Sequence, residues 1–354
     1  MAQGTLSLGR RGGQTDIHTP RIQSYWGAVW HKLFRDKLAM FGLVLLTVVI
    51  GFTVGAPWIS ANLLGFDPTD TNLRMRKKPP TWAVESWPQF QNFTDTCVSD
   101  SGCQWSLWPE ILRSSATGIQ ACFQADLGGC HWMGTDDAGR DVLTRGLYGG
   151  RISLRIGIYV TLFSLILGVI VGLLCGYFAT TWIDDIINAA IMAVDSVPTL
   201  FLLIILARIF SPGPEGLALL IGLFSWTGLA RLLRGQVFSL REHDFVLASR
   251  SVGGSLGRIL YKHLLPNVSS LLILTAIAGL TGAILSETSL SYLGVGIGPP
   301  NPSWGNMMQG SLGNLTDAPW LVLAPGFFLF ITTLAIYLVG DGLRDALDPW
   351  VKSS

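Results

Sequence analysis

Apolar and polar residues fall along this chain in long blocks rather than short periodic stripes. Four runs, 38–66, 156–183, 264–286 and 318–340, carry no charge at all. Each is long enough for a helix to cross a bilayer core, which takes about 20 residues. Two more runs are less clean. Residues 186–207 contain Asp195, and 216–230 is short but extends through Arg231 and Arg234, whose aliphatic stems can lie on apolar surface while the charge snorkels out. Six transmembrane helices are predicted, and the fold class is an all-α polytopic membrane protein.

Between the fourth and fifth runs lies a stretch of another kind. Residues 241–267 set Phe245, Val246, Val252, Ile259, Leu260 and Leu264 among Arg250, Arg258, Lys262 and His263, a mixture that belongs beside the membrane rather than in it. Gly253 and Gly254 interrupt the helical pattern, because glycine costs helix stability and permits left-handed backbone. Pro266 is predicted to end the second half. The expectation is a helix, a glycine corner and a short helix, with the first helix continuing the fourth span.

Composition narrows the class. With 354 residues, 49% hydrophobic and 13% charged, and a mean hydropathy of +0.46, the chain is too apolar for a soluble globule. A net charge of +1 says little about partners, and no nucleic acid is expected among them. The charges are sorted by side. Arg10, Arg11, Arg21, Lys32, Arg35 and Lys37 precede the first span, and six Lys or Arg lie within 231–263; both groups point to the cytoplasm by the positive-inside rule. Six spans return the C-terminus to that side, so both termini are expected to be cytoplasmic. Arg74, Arg76, Lys77 and Lys78 fall outside, in a long loop whose charges carry little topogenic weight. No cleavable signal is read in the polar first 37 residues.

The organisation expected is a cytoplasmic arm 1–37, a first helix 38–58, an extracytoplasmic segment 59–150, a five-helix core 151–341 and a cytoplasmic end 342–354. Within the extracytoplasmic segment, 82–130 differs in composition and holds Cys97, Cys103, Cys122 and Cys130. An even count outside the cytoplasm points to two disulfides with three possible pairings; near neighbours are preferred, and four free thiols are the alternative. Cys175 lies inside a span and reads as a small packing residue. Gly168, Gly172 and Gly176 form a small-residue face, the kind through which helices associate in lipid, expected to pack within this chain.

Several motifs resemble those of one family. His131-Trp132-Met133-Gly134-Thr135-Asp136-Asp137-Ala138-Gly139-Arg140-Asp141-Val142-Leu143-Thr144-Arg145 and Tyr148-Gly149-Gly150-Arg151-Ile152-Ser153-Leu154 are similar to a signature of the dipeptide, oligopeptide and nickel permeases of ATP-binding-cassette importers, in their C-type subunit. So are the stretch from Trp226 through Arg231 to Gln236, Glu287 to Gly294, the loop from Pro299 to Met307, and the ending from Gly340 to Pro349. Leu247-Ala248-Ser249, Gly253, Ile259 and Leu265-Pro266 resemble the family's EAA loop. The family's leading Glu is Leu247 here, so no Glu-based contact carries over. The resemblance covers 30–80 loosely and 131–350 closely, and leaves 82–130 unaccounted for.

The resemblance implies an importer-type permease fold with a cytoplasmic coupling loop at 239–266, formed by Ala248, Ser249, Arg250, Ser251, Val252, Gly253, Gly254, Ser255, Leu265 and Pro266. It implies alternating access, a second homologous permease chain, two ATP-binding subunits, an extracytoplasmic binding protein and residence in a bacterial inner membrane. The chain has no G-x-x-x-x-G-K-[ST] phosphate loop, so ATP and Mg are expected to be used by the partner ATPase subunits, and this chain is expected to bind no cofactor and catalyse nothing. The cargo expected is short peptides, with nickel chelates or another small solute as the alternative.

Candidate functional residues follow from burial of charge. Asp195 and Glu287 are intramembrane acids and functional candidates by default, with Tyr292 beside them as a third pathway candidate; Asp195 could instead cap backbone. Pro302, Ser303, Trp304 and Gly305 are expected to make a shaped external surface for gating or for docking the binding protein. Asp136, Asp137, Arg140, Asp141 and Arg145 are expected to form a charge-paired turn. A metal site from His131, Asp136 and Asp137 is disfavoured, as no second His is near. An ion-coupled secondary transporter would use such acids too, but it would not explain the amphipathic stretch.

Overall fold

The computed structural model describes residues 25–78, 80 and 131–347. The expected cysteine pairs, most of the basic arm and the last residues of the chain lie outside that range. Helix α1 (Tyr25–Arg35) buries Val29 and Leu33 against Ala39, Ala346 and Leu347. Asp36 then caps α2 (Lys37–Val54), its carboxylate accepting from the amides of Leu38 and Ala39, which satisfies donors a helix start leaves open. The path continues through Ala56–Ile59 and Ser60–Leu64, and Gly65 ends it in left-handed backbone at φ +71°.

Helix α3 (Val142–Tyr177) begins 14 residues before the charge-free run that predicts it. At 1.5 Å per residue its 36 residues reach about 54 Å, well beyond a hydrocarbon core of about 30 Å. The extra turns carry Arg145, whose charge is absorbed by protein: it donates to the carbonyl of Pro68 at 3.2 Å and lies 3.4 Å from Asp136.

The third predicted span is broken. Helices α4 (Trp182–Asp195) and α5 (Thr199–Phe210) meet at 75°. Pro198 lacks an amide proton and disfavours helical backbone at the preceding residue, so the bend falls there. Helix α6 (Pro214–Leu240) runs through Arg231 and Arg234. The expected continuation of α6 into the amphipathic stretch is not found: the chain turns at 241–243, and α7 (Asp244–Ser251) is a separate helix. After Gly253, at φ +75°, come Leu256–Arg258, Ile259–Leu264 and Leu265–Asn267. The backbone stays helical from Leu256 through Asn267 and stops one residue after Pro266, close to where the proline is expected to end it. Helices α8 (Ser269–Tyr292), α9 (Trp304–Met308) and α10 (Trp320–Leu347) complete the described chain.

Among the described residues, five helices are long and apolar enough to cross a membrane, and a sixth span results if the bent α4–α5 pair counts as one. The glycine face of α3 packs inside the chain, as expected. A Cβ on Gly168, Gly172 or Gly176 would lie 2.8 Å from Leu229, 2.7 Å from Leu233 and 2.6 Å from Val237 respectively. Only hydrogen at those positions lets α3 and α6 run side by side at this distance. The amphipathic stretch, the turn after α3, and the α1–α10 contact gather at one end of the bundle, and 60–78, 131–141 and 293–319 at the other.

Candidate coupling elbow and polar transport face

The amphipathic stretch is an elbow with a buried inner side and an exposed tip. Val246, Ile259 and Leu264 are buried with Leu173, Leu233 and Val237 of α3 and α6, and Val268 leads directly into α8. Apolar burial at this end therefore fastens the elbow to three membrane helices. Its corner is set locally: the amide of Gly253 donates to the Arg250 carbonyl, and that of Gly254 donates to Ser249 at 2.9 Å. A Cβ on Gly254 would stand 2.6 Å from the Ser249 carbonyl oxygen. Ser249 is thus buried behind the corner, while Ala248, Arg250, Ser251, Val252, Gly253, Ser255 and Pro266 are exposed, Gly254 and Leu265 half-buried. Val252 is 82% exposed, and Leu247, Leu256 and Tyr261 extend the same apolar tip. Residues 253–257 also match the G-x-S-x-G spacing of a hydrolase nucleophile turn, but that device needs a strand before it, and here a helix precedes.

A turn between α3 and α4 braces this elbow. Asp184, buried, takes a two-pronged ion pair from Arg234 at 2.7 and 2.6 Å. It also accepts from the Thr180 amide at 3.0 Å, Cys175 Sγ at 2.9 Å and Asn188 Nδ2 at 2.6 Å. Cys175 is therefore a hydrogen-bond donor as well as a packing residue. Arg241, the first residue past α6, donates to the carbonyls of Tyr177 and Ala179 at 3.1 and 2.8 Å, and the Arg250 guanidinium lies 4.7 Å over the Tyr177 ring. None of these pairings is readable from sequence spacing. The available signal was an Asp-Asp pair after Trp182 and an Arg that no local acid could neutralise.

Along the membrane, the open side of α6 is mixed, with Leu232 exposed among small and polar residues. Ser225, Gly228, Gly235, Gln236 and Ser239 are exposed on it. It borders a cavity of about 330 Å³, lined also by Thr161 and Ser164 of α3 and by Thr275, Gly279 and Ser286 of α8. Asp195 sits at the α4–α5 bend, where it accepts from Thr227 at 2.9 Å and pairs with Arg231. Both ion-pair partners are partly exposed, at 34% and 59%. The sequence named Asp195 but not these cavity hydroxyls, because serine and threonine in a span look like ordinary helix residues that bond their own backbone.

The other two pathway candidates are elsewhere. Glu287 is 0% exposed, holding Ser153 and Ser291 through hydroxyl donations of 2.7 Å each. Tyr292 is the half-buried last residue of α8. Neither lines the cavity. The expected outer surface at 302–305 is corrected as well: Pro302, Ser303, Trp304 and Gly305 are all buried. Trp304 inserts as a plug and donates its indole N–H to the Gly146 carbonyl at 2.9 Å, and Ser303 with Asn306 forms a reciprocal cap on α9. The glycines that make the loop look mobile in sequence admit backbone close to neighbours; a Cβ on Gly305 would lie 2.4 Å from the Thr288 carbonyl oxygen.

The outer charges pair as expected. Asp136 takes Arg140 at 2.8 Å, Asp141 caps α3 and meets His131 at 2.8 Å, and Asp137 meets Lys77 at 3.0 Å and, more loosely, Arg76. Two of the basic residues that broke the positive-inside pattern, Arg76 and Lys77, therefore have an acid beside them. No three His, Cys, Asp or Glu gather as a metal site among the described residues.

Comparison with known proteins supplies the family. Residues 168–353 match the binding-protein-dependent transport system inner membrane component, and 24–80 match the N-terminal transmembrane domain of oligopeptide transport permease C. The chain belongs to this family of inner membrane transport components. It is 33% identical over 322 residues to a putative peptide permease protein of Brucella suis, covering 90% of this chain and 89% of that one. It is 32% identical to the oligopeptide transport system permease protein OppC of Bacillus subtilis, over 96% and 94% of the two chains. It is 40% identical to the dipeptide transport system permease protein DppC of Alkalihalophilus pseudofirmus, over 63% and 73%. The resemblance to C-type permease subunits is thus borne out, and the protein is a multi-pass membrane permease subunit of a binding-protein-dependent importer. Residues 82–130 fall between the two matched segments.

Proposed function

We propose that this transport component forms half of the translocation pathway of an ATP-driven importer of short peptides, with its elbow gripped by a separate ATP-binding subunit. The observation that carries the reading is the elbow's exposed apolar tip, Leu247, Val252, Leu256 and Tyr261, on a corner anchored by buried residues to α3, α6 and α8. Apolar side chains fixed outside the membrane call for a protein partner. The hydroxyls and glycines around the cavity beside α6 support a pathway facing a second, homologous permease: small, weakly polar residues suit water, a peptide backbone or a closely packed helix. The peptide cargo is supported by the names of the relatives.

In this reading both termini and the elbow are cytoplasmic in a bacterial inner membrane. Two ATP-binding subunits use ATP with Mg, and a binding protein delivers solute to the opposite end. ATP binding draws the two subunits together, the elbow follows, and α6 and α8 turn against the partner permease to open the pathway outward. Asp195 with Arg231 borders that pathway near its inner side. A photoreactive side chain at position 252 should cross-link to an ATP-binding subunit in the purified assembly, and proteoliposomes should take up labelled di- and oligopeptides only with ATP. Cross-linking to lipid alone, or full-rate uptake driven by a proton gradient without ATP, overturns the reading.

A further inference from the structure

Resting on the proposed docking of an ATPase at the elbow, we infer that the turn between α3 and α4, residues 177–184, is a second part of the coupling apparatus and moves with the elbow as one body. Two attachments to the elbow, and a third to α6 just before it, support this. Arg241 bridges from the elbow's start to two carbonyls of the turn, those of Tyr177 and Ala179. Arg250, in the elbow's first helix, stacks on the Tyr177 ring. Arg234, one turn and a half before the end of α6, holds Asp184 with two hydrogen bonds, and that carboxylate has three further donors.

Carbonyls at a helix C-terminus lack intrahelical donors and carry partial negative charge. A guanidinium placed over the end of α3 therefore meets both an unmet hydrogen-bonding need and a favourable field. Such charge-assisted bonds are stronger than neutral ones. Meanwhile α4 itself is mostly exposed: only Asp184 and Ile191 are buried along its 14 residues. It is held largely at its two ends, by Arg234 on Asp184 and by Arg231 on Asp195. A displacement of the elbow consequently reaches α4 through ion pairs rather than through a packed core. The elbow thus drives three routes into the membrane: α6 and α8 by chain continuity, and α4 through the braced turn. Arg241, Tyr177, Arg234 and Asp184 are positioning residues, touching neither solute nor nucleotide.

The test uses the complete assembly in proteoliposomes, with spin labels on unnatural side chains at positions 182 and 262, which lie in the turn and in the elbow and are both exposed. The distance between them should be the same with and without ATP. Arg241→Gln should broaden that distance and lower solute moved per ATP hydrolysed about tenfold, the factor for roughly 1.4 kcal/mol of coupling, with Arg241→Lys restoring part of it. Tyr177→Leu should lower the ratio less, and Tyr177→Phe should keep it. A distance that changes with ATP in the unsubstituted assembly overturns the inference. So does an unchanged transport-to-ATP ratio in Arg241→Gln when the ATPase subunits still copurify. Failure of those subunits to copurify with the unsubstituted chain would instead bring down the docking reading.

Discussion

The two ends of this molecule are built on opposite principles. At the end proposed to face outward, Trp304, Glu287, Ser153 and Ser291 close on one another so that a fully buried carboxyl group and a fully buried indole both find partners within the chain. At the end proposed to face the cytoplasm, Val252 is 82% exposed on a corner with open space beyond Gly253. The outer end satisfies itself. The inner end is held by buried Val246, Ile259 and Leu264 as well as by arginines, and leaves its tip uncovered, as the proposed docking of an ATP-binding subunit requires. Lesions at the two ends should therefore separate: outer ones cost stability of the chain alone, and inner ones cost assembly.

The largest effect should come from Trp304→Ala. Truncating a buried aromatic leaves a cavity and costs about 3–5 kcal/mol, read as a lowered unfolding midpoint in detergent. Next, Glu287→Ala should cost about 2 kcal/mol, because two buried hydroxyls lose their acceptor; an unchanged midpoint would mean that water replaces the carboxylate and that the outer end is less closed than it looks. Gly253→Val should cost about 1–2 kcal/mol, from left-handed backbone that a side chain resists, and it should also weaken retention of the ATP-binding subunits. Smallest in stability is Val252→Asp, within about 0.5 kcal/mol as for other exposed positions, yet copurification of the ATP-binding subunits should fall sharply. If Val252→Asp lowered the midpoint as much as Trp304→Ala, the contrast between the ends would be gone.

Particular residues show what was legible beforehand. Charge-free runs marked the spans because unsatisfied backbone and charge are expensive in hydrocarbon, and Gly168, Gly172 and Gly176 marked a close helix contact that the fold places against α6. The glycine corner of the elbow was readable for the same local reason. Pro302, Ser303, Trp304 and Gly305 misled: loop-forming composition looks alike whether the loop coats a surface or plugs a core, and only the neighbours Gly146, Ser153 and Thr288 decide which. Arg145 was expected in a charge-paired turn, and it does face Asp136, but from the first turn of a helix that the charge-free run did not mark.

Sequence alone marked the apolar runs from which the long helices form, where the elbow turns, and which family its motifs resemble, since each depends on composition or on residues near one another along the chain. Tertiary structure alone decided that Asp184 belongs to Arg234, 50 residues away, that Arg241 caps the end of α3, and that Glu287 is enclosed rather than facing an open pathway. Those pairings turn on the angle and separation of packed helices, and a linear pattern of charges carries no record of either.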